Sequence, residues 1–150
     1  MKKPALVPPS PQAAREVRRN TPIRQARTCY RHLAGIAGVH LLDEMVKRGW
    51  LGLEMGRQPI RPLYHLTPRG TRVLAKRGVE IPLAHKSGRV LAHGCLDWTE
   101  RRPHLGGELG AAIRHGLEAA GVIRRARASR VVTVITPVLG WLDEPPRTSS

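Results

Sequence analysis

Aromatic side chains are scarce in this chain of 150 residues, because Trp and Tyr together make up 3% of it and Phe is absent. Proteins that bind RNA or single strands by base stacking need a platform of aromatic side chains. The chain has too few aromatic residues to build one. If the partner is a nucleic acid, we therefore expect a duplex.

Cysteine is also scarce, and no apolar run is long. Cys29 and Cys95 are the only cysteines, which excludes a disulfide-rich secreted scaffold and is typical of a reducing compartment. The first ten residues contain three prolines and lack the apolar core of a signal peptide. The longest apolar stretch, residues 131–142, is interrupted by Pro137 and is too short to span a bilayer. These absences predict a cytoplasmic protein without a membrane segment.

Acidic residues are few relative to basic ones. The chain has 26 Lys and Arg against 11 Asp and Glu, which gives a formal net charge of +15. Such an excess predicts a polyanionic partner, most often a nucleic acid. Charge of this kind supplies affinity for phosphates but does not read a base sequence.

Two stretches of the chain, residues 32–51 and 104–123, share a pattern at a constant offset of 72. Glycine destabilises helices and is retained where the backbone turns or approaches a neighbour closely. The agreement of residues and gaps predicts two copies of one small supersecondary unit. The matched residues are His32 and His104, Leu33 and Leu105, Gly35 and Gly107, Gly38 and Gly110, and Gly49 and Gly121.

The first copy reads as helix, helix, hairpin, helix. Residues 23–34 and 38–48 have helical apolar spacing, and residues 50–51 and 63–66 read as strands around a basic loop. Thr67-Pro68 then begins a third helix that ends at Gly78. This order is typical of a winged helix, in which the hairpin is the wing.

The second copy has a helix that ends at Gly121, a hairpin from residues 122–123 and 131–135, and little room for a final helix. The fold class expected is therefore α+β and mainly helical, with two tandem winged-helix-like repeats, the second truncated. The expected division is a flexible Pro/Arg-rich segment (1–22), repeat 1 (23–79), a linker (80–92), repeat 2 (93–142) and a tail (143–150).

The segments at residues 26–35 (ARTCYRHLAG) and 95–105 (CLDWTERRPHL) resemble the C-terminal region of bacterial ArsR-type helix-turn-helix transcriptional regulators. The resemblance extends over residues 23–142. It implies a winged-helix DNA-binding repressor or activator that is usually dimeric. It also implies that the main DNA-reading head lies N-terminal to these segments, and we expect that head to lie outside this chain.

Basic residues on the predicted helix 38–48 are weak candidates for major-groove contact, because Asp43 and Glu44 beside them repel phosphate. Arginines at the hairpin tips are better placed to contact the backbone or enter a minor groove. The alternative is a basic surface that only faces water. The predicted DNA-binding residues are Lys47, Arg48, Arg57, Arg61, Arg124, Arg125, Arg127 and Arg130.

Cys29, His32, Cys95 and His104 are residue types that bind soft divalent metals, and Cys29 and His32 would share a helical face at i, i+3. Their spacing matches no closed zinc pattern. Buried cysteine is often only a small hydrophobic residue, and a helical histidine often only a satisfied core residue. We therefore treat these four residues as a hypothetical effector or metal site.

A charged cluster precedes His104, and its acid could pair internally with arginines to lock a helix start. No nucleophile and base pair, phosphate loop or carboxylate dyad accompanies it, so we do not expect an enzyme. The cluster contains Asp97, Trp98, Glu100, Arg101 and Arg102.

Together these features predict a DNA-binding transcriptional regulator that contacts duplex DNA through basic hairpin wings and acts as a homodimer. Two alternatives remain. The chain could be an effector-sensing or dimerisation module of a longer regulator, with no DNA binding of its own. It could instead be a basic protein that associates with RNA or the ribosome.

Overall fold

A computed structural model describes residues 9–54 and 61–143. Of these residues, 42% lie in six helices and 22% in eight strands. The helices are α1 (Pro11–Arg19), α2 (Pro22–Gln25), α3 (Gly35–Lys47), α4 (Pro68–Lys76), α5 (Gly107–Ala119) and α6 (Val138–Asp143). The strands are β1 (Arg27–Cys29), β2 (His32–Ala34), β3 (Leu51–Leu53), β4 (Leu63–Leu66), β5 (Leu91–Leu96), β6 (Pro103–Leu105), β7 (Ile123–Arg125) and β8 (Val132–Val134).

The strands form three antiparallel sheets. Strands β1 and β2 form one hairpin, β7 and β8 form another, and the largest sheet has the order β3-β4-β5-β6. In the largest sheet β4 pairs with β5, with Tyr64 opposite Ala92. Strand β5 begins within the segment expected to be a linker (80–92), and this pairing joins it to β4 in the first expected repeat.

The prediction of a mainly helical fold with two tandem winged-helix-like repeats is wrong. Residues 27–34, which have helical apolar spacing, form the β1–β2 hairpin instead. Tyr30 in its turn has a φ of 56°, and a right-handed helix cannot continue through that conformation. The segment predicted as repeat 2 is not truncated either, because helix α6 follows its hairpin. The domain boundaries remain a prediction.

Several locally encoded elements are confirmed. The Thr67 side chain accepts a hydrogen bond from the Gly70 amide at 3.0 Å, and Pro68 occupies the first turn of α4. Helix α3 is followed by Gly49 with a φ of +76°, as expected for a helix end. The predicted hairpins around residues 50–66 and 122–135 are present as β3–β4 and β7–β8.

Each of the helices α3 and α5 packs against the hairpin that precedes the other helix. Helix α3 contacts β6, and helix α5 contacts β2. Gly38 lies between α3 and both hairpins, because a Cβ there would lie 2.3 Å from the Leu33 carbonyl oxygen in β2 and 3.4 Å from the His104 Cβ in β6. Gly110 lies between α5 and both hairpins, because a Cβ there would lie 2.5 Å from the Leu105 carbonyl oxygen in β6 and 3.6 Å from the His32 Cβ in β2. This matched pair of glycines therefore lies where helix and hairpin meet. The core beside them includes Met45, Leu109, Ile113, Leu117, Trp141 and Leu142.

None of the helices in residues 9–54 and 61–143 is long and apolar enough to cross a membrane.

Candidate functional site

Two hairpins bring both cysteines of the chain together with His32 and His104, two of its seven histidines. Cys29 lies opposite His32 in β1–β2, and Cys95 lies opposite His104 in β5–β6. The predicted helical i, i+3 relation of Cys29 and His32 is wrong, since the hairpin makes them cross-strand neighbours. Strands β2 and β6 pack together, and the Sγ atoms of Cys29 and Cys95 lie 4.0 Å apart.

Three potential ligand atoms form a compact group. One each from Cys29, Cys95 and His104, they all lie within 4.8 Å of one another. His32 is adjacent, with its ring centroid 6.1 Å from that of His104, but is outside this trio. The two thiols are partly exposed and free, whereas His104 is 1% exposed.

A buried carboxylate fixes the orientation of His104. Asp97 Oδ2 lies 3.0 Å from His104 Nδ1, and a carboxylate can only accept, so Nδ1–H is the donor. The other ring nitrogen, Nε2, is buried and has no hydrogen-bond partner among the described residues. A neutral imidazole in this tautomer has its lone pair on Nε2.

Asp97 also connects the cluster to the start of α3. Its Oδ2 accepts the Gly35 amide at 2.7 Å, and its Oδ1 accepts Arg27 Nη2 at 2.7 Å. The Thr99 hydroxyl and amide add bonds to Oδ1 at 3.0 and 3.1 Å. Both charged side chains of the Arg27–Asp97 pair are fully buried. Such a pair persists only when it is thoroughly hydrogen-bonded.

The pKa values follow from this arrangement. Burial opposes ionisation of Asp97, but its bond with His104, the Arg27 charge and the Gly35 amide lower its pKa overall. Burial also opposes the charged form of His104, yet the bond to Asp97 and the neighbouring Cys29 raise its pKa.

The two thiols differ from each other. The pKa of Cys29 is lowered by its contact with Cys95 and then by His104 and His32. The pKa of Cys95 is raised by Cys29 and by burial. One thiol of the pair is therefore the preferred thiolate, which is the form that binds metals.

Sequence reasoning placed Asp97 in a structural cluster, in which an acid was expected to pair with arginines of the same segment. Asp97 pairs with Arg27, which also stacks over Trp98 at 4.6 Å. Arg102 instead pairs with Asp43. Arg27 was missed, because nothing local in its sequence marks it as a partner of residue 97.

Four of the predicted DNA-binding arginines lie on the β7–β8 hairpin. Arg124 and Arg125 belong to β7, Arg127 and Arg130 lie in the connection, and all four are exposed. Arg125 Nε pairs with Glu118 at 2.7 Å. The hairpin thus presents a basic edge in which three arginines have no side-chain partner within the described ranges.

The other predicted DNA-binding residues are dispersed. Lys47 is exposed at the end of α3. Arg48 pairs with Asp143 at 2.6 Å and with Glu44 at 3.2 Å, and the bond to Asp143 is the main cause of its raised pKa. Arg61 is exposed before β4. Arg57 lies outside the described residues.

One comparison relates the chain to a known protein. It is similar to YdfF of Bacillus subtilis (strain 168), named an uncharacterized HTH-type transcriptional regulator, with 31% identity over 123 residues. The match covers 80% of this chain and 52% of that protein, so the chain spans about half the length of the relative. This similarity supports a relationship to a family of transcriptional regulators. No protein-family model and no solved structure matches the chain.

Proposed function

We propose that the chain acts in a DNA-binding transcriptional regulator of the ArsR type, in the cytoplasm and as a homodimer. The name of the B. subtilis relative supports the general class. The segments at residues 26–35 and 95–105 support the ArsR type and, through it, the dimer. Sedimentation of the purified chain tests the dimer directly, since a monomer at micromolar concentration would contradict that part.

The observation that carries DNA binding is the exposed basic edge of β7–β8. Arg124, Arg127 and Arg130 leave their charges free for phosphates, in contrast to Arg48, whose guanidinium is held by two carboxylates. The Thr28 and Val132 amides donate to the Arg130 and Ala26 carbonyl oxygens, at 2.8 and 3.1 Å, and attach the hairpin to β1. A basic hairpin fixed in this way can contact the duplex backbone or enter a minor groove.

The test is binding to random duplex DNA across a salt series, with a chelator present so that bound metal has no influence. A variant carrying Arg124→Ala, Arg127→Ala and Arg130→Ala should bind more weakly and reduce the slope of log affinity against log salt by about 0.9 per lost phosphate contact. The matched control removes three exposed charges from α4 with Arg69→Ala, Arg72→Ala and Lys76→Ala. Equal losses in both variants would contradict a specific role for the hairpin.

A second candidate is an effector-sensing or dimerisation module without DNA binding. It is favoured by one observation: in the described part of the chain, α3 and α5 each follow a β-hairpin rather than another helix. Neither helix therefore belongs to a helix-turn-helix pair there. Absence of salt-dependent DNA binding would support this candidate. Preference for structured RNA over duplex DNA would instead support an RNA-associated role.

A further inference from the structure

We propose that Cys29, Cys95 and His104 bind a thiophilic divalent cation of the zinc(II) class, with His32 as the fourth ligand. This site is separate from the proposed DNA-binding edge. It stands or falls independently of DNA binding.

The sulfur positions suit a shared metal. Two thiolates about 2.3 Å from one tetrahedral zinc ion lie about 3.8 Å apart, and the Sγ atoms of Cys29 and Cys95 are 4.0 Å apart. A disulfide requires a sulfur separation of about 2.0 Å, and both cysteines are free. The existing geometry needs only a small adjustment to accept an ion between the thiols.

The histidine of the trio has the features of a metal ligand. A buried nitrogen without a hydrogen-bond partner is costly, and His104 Nε2 is such an atom in the part of the chain described. A ligating histidine commonly donates its other N–H to a carboxylate, which fixes the ring and raises its basicity. Asp97 accepts from Nδ1 in this way. A cation would satisfy Nε2 and complete the arrangement.

His32 is the candidate for the fourth position. It is the cross-strand partner of Cys29, is mostly buried at 9% exposure, and its Nδ1 also has no hydrogen-bond partner within residues 9–54 and 61–143. Structural zinc sites are usually four-coordinate, and a set of two cysteines and two histidines is a frequent one. The partial exposure of the two cysteines leaves a route by which the ion can enter.

The site would join two parts of the chain that are far apart in sequence. Two ligands lie on the β1–β2 hairpin and two on β5–β6, and these hairpins pack against α5 and α3 respectively. A bound ion would therefore clamp the two hairpins together and stabilise the folded chain.

The test is titration of the full chain with cobalt(II) and then zinc(II), after reduction, removal of metal and transfer to anaerobic buffer. The expected result is one cobalt per chain, with thiolate-to-cobalt charge-transfer absorption and the intense visible bands of tetrahedral cobalt, both abolished by added zinc. The absence of charge-transfer absorption in the wild-type chain would overturn the proposal.

Variants assign the ligands. Cys29→Ser and Cys95→Ser should each lower cobalt affinity at least about tenfold and weaken the charge-transfer absorption, and His32→Ala should lower affinity while retaining it. His115→Ala removes an exposed histidine of α5 and should bind cobalt as the wild type does. Wild-type affinity in both cysteine variants would overturn the assignment.

A measurement on the wild-type chain alone covers the case in which a variant does not fold. Zinc should protect both thiols from alkylation by iodoacetamide, with one equivalent giving full protection. Alkylation at the same rate with and without zinc would overturn the site. Because no DNA is present in any of these measurements, their failure would leave the proposed function untouched.

Discussion

The two hairpins that carry the cysteines and histidines differ in their turns. In β1–β2 the turn has two residues, Tyr30 and Arg31, between Cys29 and His32. In β5–β6 the connection runs over residues 97–102, and Cys95 still lies opposite a histidine. The longer connection contains Asp97, whose carboxylate orients the histidine of its own hairpin.

Because of this difference, the histidines of the two cross-strand pairs, Cys29–His32 and Cys95–His104, are held differently. His104 is anchored by a carboxylate, whereas His32 has no hydrogen-bond partner on Nδ1 among the described residues. The same carboxylate reaches across to β1 through Arg27 and to α3 through Gly35. The longer turn therefore links the two hairpins and α3, whereas the shorter turn contacts α5, where its Arg31 carbonyl oxygen accepts a hydrogen bond from Arg114 Nε.

Removing the carboxylate of the longer turn should have the largest effect. Asp97→Asn leaves the buried Arg27 guanidinium without its counter-charge, and we expect a loss of about 3–5 kcal/mol in the free energy of unfolding. The measurement is urea denaturation of the metal-free chain, followed by circular dichroism. A transition midpoint equal to that of the wild type would show that the turn does not hold the hairpins.

The control for this prediction is a carboxylate at the surface. Asp43→Asn breaks the ion pair with Arg102, in which both side chains are partly exposed, and should cost about 0–1 kcal/mol. Similar losses for Asp97→Asn and Asp43→Asn would contradict the central role of Asp97.

The second prediction tests a feature that the two hairpins share, which is the close approach of a helix glycine to a strand carbonyl oxygen. Gly38→Ala and Gly110→Ala each add a Cβ that meets a carbonyl oxygen, of Leu33 or Leu105, at 2.3 or 2.5 Å. Each should destabilise the chain by about 1–3 kcal/mol through overpacking, as measured by urea denaturation.

Gly140→Ala is the control for this pair, because a Cβ there meets nothing within 4 Å. It lies in α6, where alanine is the better helix former, so the change should be neutral or stabilise by up to about 1 kcal/mol. If Gly38→Ala behaved as this control does, the close approach of α3 to β2 and β6 would not be a constraint.

Several of the elements that depend on interactions between residues close in sequence were predicted correctly, and elements that depend on distant residues were not. Helix α4 was predictable because Thr67 and Pro68 are local signals that act within one turn. Among the matched glycines, Gly38 and Gly110 correctly marked close contacts and Gly49 and Gly121 marked helix ends, although the tandem winged-helix repeats inferred from them were wrong. The β1–β2 hairpin was missed because its turn residue with a left-handed conformation is Tyr30, whereas the usual sequence signal for such a turn is a glycine.

The candidate metal site was only partly visible in the sequence. Residue type alone selected Cys29, His32, Cys95 and His104. Their spatial grouping depends on strand β2 packing against β6, which no local pattern encodes. The pairing of Arg27 with Asp97 joins residues 70 positions apart, so it too could not be derived from short-range spacing.

The third prediction concerns a substitution that weakens the longer turn but keeps the charge of Asp97. The Thr99 hydroxyl accepts from Arg27 Nη1 and donates to Asp97 Oδ1, both at 3.0 Å. Thr99→Val removes both bonds at nearly constant volume and should cost about 1–2 kcal/mol. Thr71→Val, which removes a partly buried bond to the Thr67 carbonyl, is the matched control and should cost less. A larger loss in the control would mean that the Asp97 network tolerates the missing hydroxyl.

The smallest effect should come from the turn residues themselves. Tyr30 and Arg101 both have a φ of 56°, which strains any residue with a side chain. Tyr30 is 90% exposed, so Tyr30→Gly loses little contact while it relieves that strain, and we expect stabilisation of about 0.5–1 kcal/mol. Arg101→Gly should gain less, because Arg101 Nη1 also donates to the Trp98 carbonyl. Thermal unfolding of both variants measures the difference. An equal gain would mean that the side chain of Arg101 contributes nothing to the stability of the longer turn.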